Sequence, residues 1–208
     1  MSFELWLVYL IAAVGLSLTP GPNGLLSLTH GVRFGLARTA FTAAGGVTGF
    51  LLLIAASLAG LGALLAASEQ AFTAAKWIGA AYLVYLGVRL LRAPAPAVDA
   101  AAVARLGHDT RPLRLFAQGF LVAVSNPKAL IFFAAFLPQF MTPGAPLWLQ
   151  FVVLGGTFAA IEFVYELMLA GAAQRLAPWI ARHGRWFNRA TGCTFIGIGG
   201  LLTTASRN

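Results

Sequence analysis

Long apolar runs separated by short polar or basic connections set the pattern of this chain. Stretches of about 20 apolar residues, the length that crosses a hydrocarbon core, predict spans at 3–29, 38–66, 70–91, 114–140, 146–174 and 187–205. A five-span arrangement, with one segment re-entrant or peripheral, is the alternative and would move one terminus across the membrane. The opening Met1-Ser2-Phe3-Glu4-Leu5-Trp6 carries Glu4 as its one charge. It lacks the basic start of a signal peptide, so the first span is expected to stay attached.

Composition agrees with the pattern. Of 208 residues, 59% are hydrophobic and 10% charged, whereas soluble domains carry about 25% charged residues. The expected fold class is therefore all-α, a polytopic membrane protein of six transmembrane helices embedded in a lipid bilayer. The six spans leave no room for a separate soluble domain. The stretch 93–111, rich in Ala and Pro, reads as a cytoplasmic linker between residues 1–92 and 112–208.

Fourteen Lys or Arg against six Asp or Glu give a formal charge of +8. In a soluble protein this excess would raise nucleic-acid binding, but here its distribution points to orientation and no nucleic-acid partner is expected. Arg33 and Arg38 fall between the first two spans. Five arginines fall between the third and fourth, and Arg175, Arg182, Arg185 and Arg189 between the fifth and sixth. The positive-inside rule puts these three connections in the cytoplasm and both termini outside.

Cutting at the linker leaves two halves of three spans. Pro20 pairs with Pro127 at an offset of 107, Gly45-Gly46 with Gly155-Gly156 at 110, and Gly79, Gly87 and Lys76 with Gly192, Gly200 and Arg189 at 113. Three is odd, so the second half enters the membrane from the opposite side. Such inverted repeats are characteristic of secondary transporters. The plainer account is that glycines are frequent in membrane helices, where they let backbones approach.

Each repeat begins with an interrupted helix. Leu18-Thr19-Pro20-Gly21-Pro22-Asn23 contains two prolines that remove donors and clash with the preceding turn. Pro20 lies about 25 Å from the start of its span at 1.5 Å per residue. The fourth span repeats the device as Val124-Ser125-Asn126-Pro127-Lys128. Broken helices at corresponding places in two halves are the best sequence pointer to a transporter binding site. Pro20, Gly21, Pro22, Asn23, Asn126, Pro127 and Lys128 are accordingly the candidate substrate-binding residues. Asn23 and Asn126 are read as caps of the restarting half-helices or as amides offered to a substrate, and freed N–H groups there favour a carboxylate.

Three charged residues fall well inside spans: Lys128, Glu162 and Glu166. Each costs at least about 2.5 to 3.5 kcal/mol at a helix centre. Glu162 and Glu166 are four apart and share one face with Phe158 and, nearby, Thr157, a face that should look inward. Two buried carboxylates so close favour holding one proton between them. They are the candidate proton-coupling or amine-binding residues. The plainer alternative is a static ion pair of Lys128 with one glutamate.

Other chemistry finds little support. Cys193 alone makes no disulfide or thiol pair and reads as a small apolar filler. His30, His108 and His183 read as loop residues without metal spacing. Phosphate-loop, nucleophile-elbow and dinucleotide motifs are absent. No enzyme activity, cofactor or metal is expected. A channel or a non-transporting assembly protein remains the competing class.

The chain resembles the LysE/RhtB family of bacterial amino-acid exporters. The resemblance rests on Thr19-Pro20-Gly21-Pro22-Asn23 followed by Arg33-Phe34-Gly35, on Gly79, Tyr82, Tyr85 and Gly87 of the third span, and on Gly119-Phe120 through Asn126-Pro127-Lys128 to Leu137-Pro138-Gln139-Phe140. It covers essentially the full chain. It implies a bacterial inner-membrane carrier that exports amino acids or related metabolites, driven by proton antiport, with homodimer formation left open. Members commonly carry at most one acidic residue in the fifth span, so the pair Glu162 and Glu166 departs from the family. A cationic substrate is one reading of that departure.

Overall fold

The computed structural model describes residues 1–19, 21–67, 111–142 and 144–173, with scattered positions between 70 and 92 and between 175 and 200. Among the described residues every regular element is helical. The expected third and sixth spans, the linker segment 93–110 and Pro20 fall largely or wholly outside the described residues.

Helix α1 is Phe3–Leu18, started by the Ser2 hydroxyl, which accepts from the Leu5 N–H at 3.3 Å. It stops at Thr19, whose backbone turns extended (φ −66°, ψ 120°) and whose N–H donates back to the Gly15 and Leu16 carbonyls. Helix α2, Pro22–Ala67, restarts at once. The Leu25 N–H donates to the Gly21 carbonyl at 3.0 Å. This makes Gly21 the cap and Pro22 the first helical residue, a position where proline's missing donor costs nothing.

Helix α2 is not straight. Gly35 adopts φ 74°, ψ 175°, a conformation that side chains with a Cβ resist. His30 Nδ1 and Thr42 Oγ1 lie 2.7 Å apart, although twelve residues of straight helix would separate them by about 18 Å. The chain therefore folds back at Gly35 into two arms, 22–34 and 36–67, with an exposed turn at 35–38. These arms reproduce the expected end of the first span and the whole of the second. Helices α3 (Pro112–Val124) and α4 (Pro127–Phe136), with a 3-10 turn at Leu137–Phe140, form a pair bent by 57° over the expected fourth span. Helix α5 (Leu147–Gln150), a π turn at Phe151–Gly155 and α6 (Gly156–Gly171) run on as one 25-residue span.

The bundle closes through small residues and rings. A Cβ on Gly45 would run into the Phe116 carbonyl, and one on Gly119 into that of Thr42. Helix α3 thus lies backbone to backbone on the second arm of α2, the contact small residues permit in membranes. Gly31 meets Ala170 in the same way, seating α6 on the first arm. Rings of Phe50, Phe133 and Phe158 pack edge to face at 5.0 to 6.2 Å, joining α2, α4 and α6. The Tyr9 hydroxyl donates to the Leu154 carbonyl at 2.9 Å in the π turn, where i→i+5 pairing disturbs the regular ladder.

Outward faces stay apolar. Ile11, Leu113, Trp148, Val152, Val164 and Met168 are all more than half exposed, as a lipid-facing surface requires. Among the described residues two helical stretches, Leu147–Gly171 and Pro22–Gly60 with its fold-back at Gly35, are long and apolar enough to cross a membrane, or three if the bent pair α3 and α4 is one span. Cys193 is exposed rather than a buried filler. His30, read from sequence as a loop residue, is fully buried inside α2, because the turn comes five residues later at Gly35. His183 is helical and exposed, and His108 lies outside the described residues.

Candidate translocation site

The two helix breaks meet. Lys128, in the first turn of α4, reaches across to the end of α1, where its ammonium donates to the Thr19 carbonyl at 2.9 Å and the Leu16 carbonyl at 3.2 Å. A helix ends with unpaired carbonyls and partial negative charge, so a cation is well placed there. Gly21 makes the approach possible, since a Cβ on it would lie 2.9 Å from Lys128 Nζ. Backbone carbonyls take the ammonium, and Glu162 lines the same space.

The two restarts share one pattern with different caps. Asn126 Oδ1 accepts from the Lys128 N–H at 3.0 Å, with Pro127 at the first helical position. Asn126 therefore caps, as expected. At the other break Gly21 occupies the cap and Pro22 the first position. Asn23 is inside the first turn and does not cap, because a proline can follow a cap but cannot occupy a position that must donate. Pro22 and Pro127 thus both occupy the first helical position after a break. Gly21 has no side chain to satisfy the first amides of its arm.

Around this junction Ser17, Thr19, Asn23, Asn126, Lys128 and Glu162 line a buried space with Phe50 and Phe158. It has room for about one water molecule. Beside it lies Glu166, fully buried, whose Oε2 accepts from the Ser27 hydroxyl at 2.8 Å. The bare α-carbon of Gly46 sits against both the Asn23 amide nitrogen and Glu166: a Cβ there would lie 2.7 Å and 3.3 Å from them. Glu162 and Glu166 both face inward with Phe158. Thr157, on the neighbouring face, accepts from the Trp6 indole N–H at 3.1 Å.

Ser17 Oγ, Asn23 Oδ1, Glu162 Oε2 and Glu166 Oε1 are buried without a hydrogen-bond partner. An unpaired buried polar atom costs about 1 to 3 kcal/mol, so four together in an apolar bundle make this junction the candidate functional site. Among the described residues no His, Cys, Asp and Glu cluster could hold a metal. Ser17, Ser27 and His30 escape the sequence reading. The signal for two of them was present: Asn23, Ser27 and His30 recur at i, i+4 and i+7, one polar stripe along an otherwise apolar arm.

Comparison with known proteins decides the family. The sequence model described as LysE type translocator matches residues 14–206. The chain belongs to the LysE translocator family. It is 36% identical over 207 residues to a homoserine/homoserine lactone efflux protein of Salmonella typhi, covering 99% of this chain and 98% of that one. A leucine efflux protein of Klebsiella pneumoniae is 29% identical, with 96% and 94% covered. An uncharacterized membrane protein of Vibrio cholerae is 35% identical, with 99% of each covered. No solved structure matches. LysE translocators and their efflux relatives are transporters, not enzymes, and this member is a multi-pass membrane translocator.

Proposed function

We propose that this LysE translocator exports amino acids or related metabolites from the cytoplasm across the bacterial inner membrane, by proton antiport and alternating access between two inverted three-helix repeats. The observation that carries the reading is the junction of the two breaks, where Lys128 from one interrupted helix closes the end of the other over a buried polar space. Space for about one water is far too little for an amino acid. The conformation is therefore an occluded one, and the helices on either side of the junction must part to admit substrate.

Chemistry assigns the ends of the substrate. The uncapped first turn after Gly21 and the Lys128 ammonium suit a carboxylate. Glu162, with an unpaired oxygen in the same space, suits an α-amine. Glu166, set back behind Ser27 and Asn23, suits the coupling proton. The efflux relatives supply the probes, homoserine and leucine, with lysine added because of the second glutamate.

Counterflow in proteoliposomes tests the reading. Saturable exchange of at least one of the three amino acids, accelerated under a proton gradient, is expected. Linear flux indifferent to the gradient would mean a channel, and failure of all three to exchange would remove the amino-acid assignment. Glu166→Gln is expected to lose the gradient dependence, so full pH-dependent transport by that variant and by Glu162→Gln would reject the proton site.

A further inference from the structure

Buried polar groups do not end at Glu166. On the first arm of α2, Asn23, Ser27 and His30 are buried on one face at 3%, 0% and 0% exposure. Across from them on the second arm lie Gly46 and then Thr42, one turn nearer the Gly35 turn. His30 Nδ1 is held by the Thr42 hydroxyl at 2.7 Å, and the ring packs on Phe34 with centroids 5.2 Å apart. Its other nitrogen, Nε2, is buried and has no hydrogen-bond partner. The same is true of Glu166 Oε1. Ser27, which holds the other oxygen of Glu166, is three residues before His30, so the two side chains stand about 5 to 6 Å apart on one helix face. Beyond His30 comes Arg33 and then the exposed turn 35–38. That is the arginine-bearing end assigned to the cytoplasm.

A structural histidine would use both ring nitrogens or expose one. This one is pinned by Thr42 on one side and unpartnered on the other, on a helix face that runs from Ser27, the donor to Glu166, toward the exposed turn. We propose that His30 is the proton relay between Glu166 and the cytoplasm, with Thr42 positioning its ring. The inference rests on the proton-coupled reading above. In the inward step, the proton on Glu166 Oε1 passes, directly or over one water, to the lone pair of His30 Nε2, leaving a carboxylate and an imidazolium. The imidazolium then gives its proton to water at the Gly35 turn.

The test compares two transport modes of homoserine in proteoliposomes. Counterflow exchanges substrate for substrate and needs no net proton transfer, whereas uptake driven by a pH gradient needs one per cycle. His30→Gln is expected to slow gradient-driven uptake at least tenfold more than counterflow. Thr42→Val should do the same to a smaller degree, and Thr42→Ser, which keeps the hydroxyl, should restore the wild-type ratio. If the two modes fall in parallel, or neither falls, His30 is structural and the relay is wrong. Should His30→Gln not purify as a monodisperse protein, the Thr42→Val and Thr42→Ser pair decides on the same ratio. Wild-type protein without gradient-driven uptake overturns the coupling reading and the relay with it. A Glu166→Gln defect beside an unaffected His30→Gln overturns the relay alone.

Discussion

The Lys128 ammonium donates to the Thr19 carbonyl at 2.9 Å, so a side chain from the second helix break terminates the helix before the first. Without it, the Thr19 carbonyl would lose this donor beside a buried space, and the Leu16 carbonyl would keep only the Thr19 N–H. Lys128→Met should therefore lower stability by about 1 to 3 kcal/mol, read as a lower melting temperature in detergent, and should abolish counterflow. Gly21→Ala is the milder companion. Its new methyl meets the flexible end of Lys128 at 2.9 Å, which can shift, so transport should weaken while the melting temperature changes little. Equal loss of stability in both variants would contradict this account of the junction.

The contact of α3 with α2 predicts a sharper penalty. A methyl on Gly119 would collide with the Thr42 carbonyl and lie 2.9 Å from the Gly46 nitrogen. Backbone cannot step aside as a lysine tip can. Gly119→Ala should cost at least the 1 to 3 kcal/mol, roughly, of an overpacked core, whereas Gly156→Ala, with open space around its α-carbon, should be neutral or slightly stabilising from helix propensity. Thermal melting of the two variants side by side checks the contrast.

Apolar length and the prolines made much of this fold legible before any coordinates. The breaks after Leu18 and at Asn126, the reversal between Phe34 and Arg38, and the inward face of Glu162 and Glu166 all follow from rules that act within a few residues: proline's missing donor, basic turns, helical periodicity. What stayed hidden depends on contacts between segments distant in sequence. Lys128 looks like a partner for a carboxylate until α1 is seen to end beside it. Asn23 looks like a cap until Pro22 is found at the first helical position. His30 looks like a loop residue because Arg33 follows closely, and only the Gly35 conformation moves the turn past it.

Gly35 carries that turn at φ 74°. With ψ at 175° it lies in a region occupied essentially by glycine alone, where a Cβ costs about 1 to 3 kcal/mol, and not in the αL well that Asn tolerates. Gly35→Ala and Gly35→Asn should therefore both lower the melting temperature, by similar amounts. Open space surrounds this glycine, so the loss reports backbone strain and not crowding. Unchanged melting temperatures would argue that the turn relaxes to another conformation.

The Ser27 hydroxyl donates to Glu166 Oε2 at 2.8 Å, while Oε1 of the same carboxyl group is buried without a partner. Removing it leaves Glu166 with both oxygens poorly satisfied, which for a hydrogen bond to a buried carboxyl costs about 1 to 3 kcal/mol. Ser27→Ala should lose stability of that order in wild-type background. In a Glu166→Leu background, where no carboxylate waits for a donor, the same change should cost much less. The difference between the two measurements is the coupling energy of the pair. A coupling near zero would mean that the serine and the carboxylate do not act on each other, and that Glu166 is held in place by packing alone.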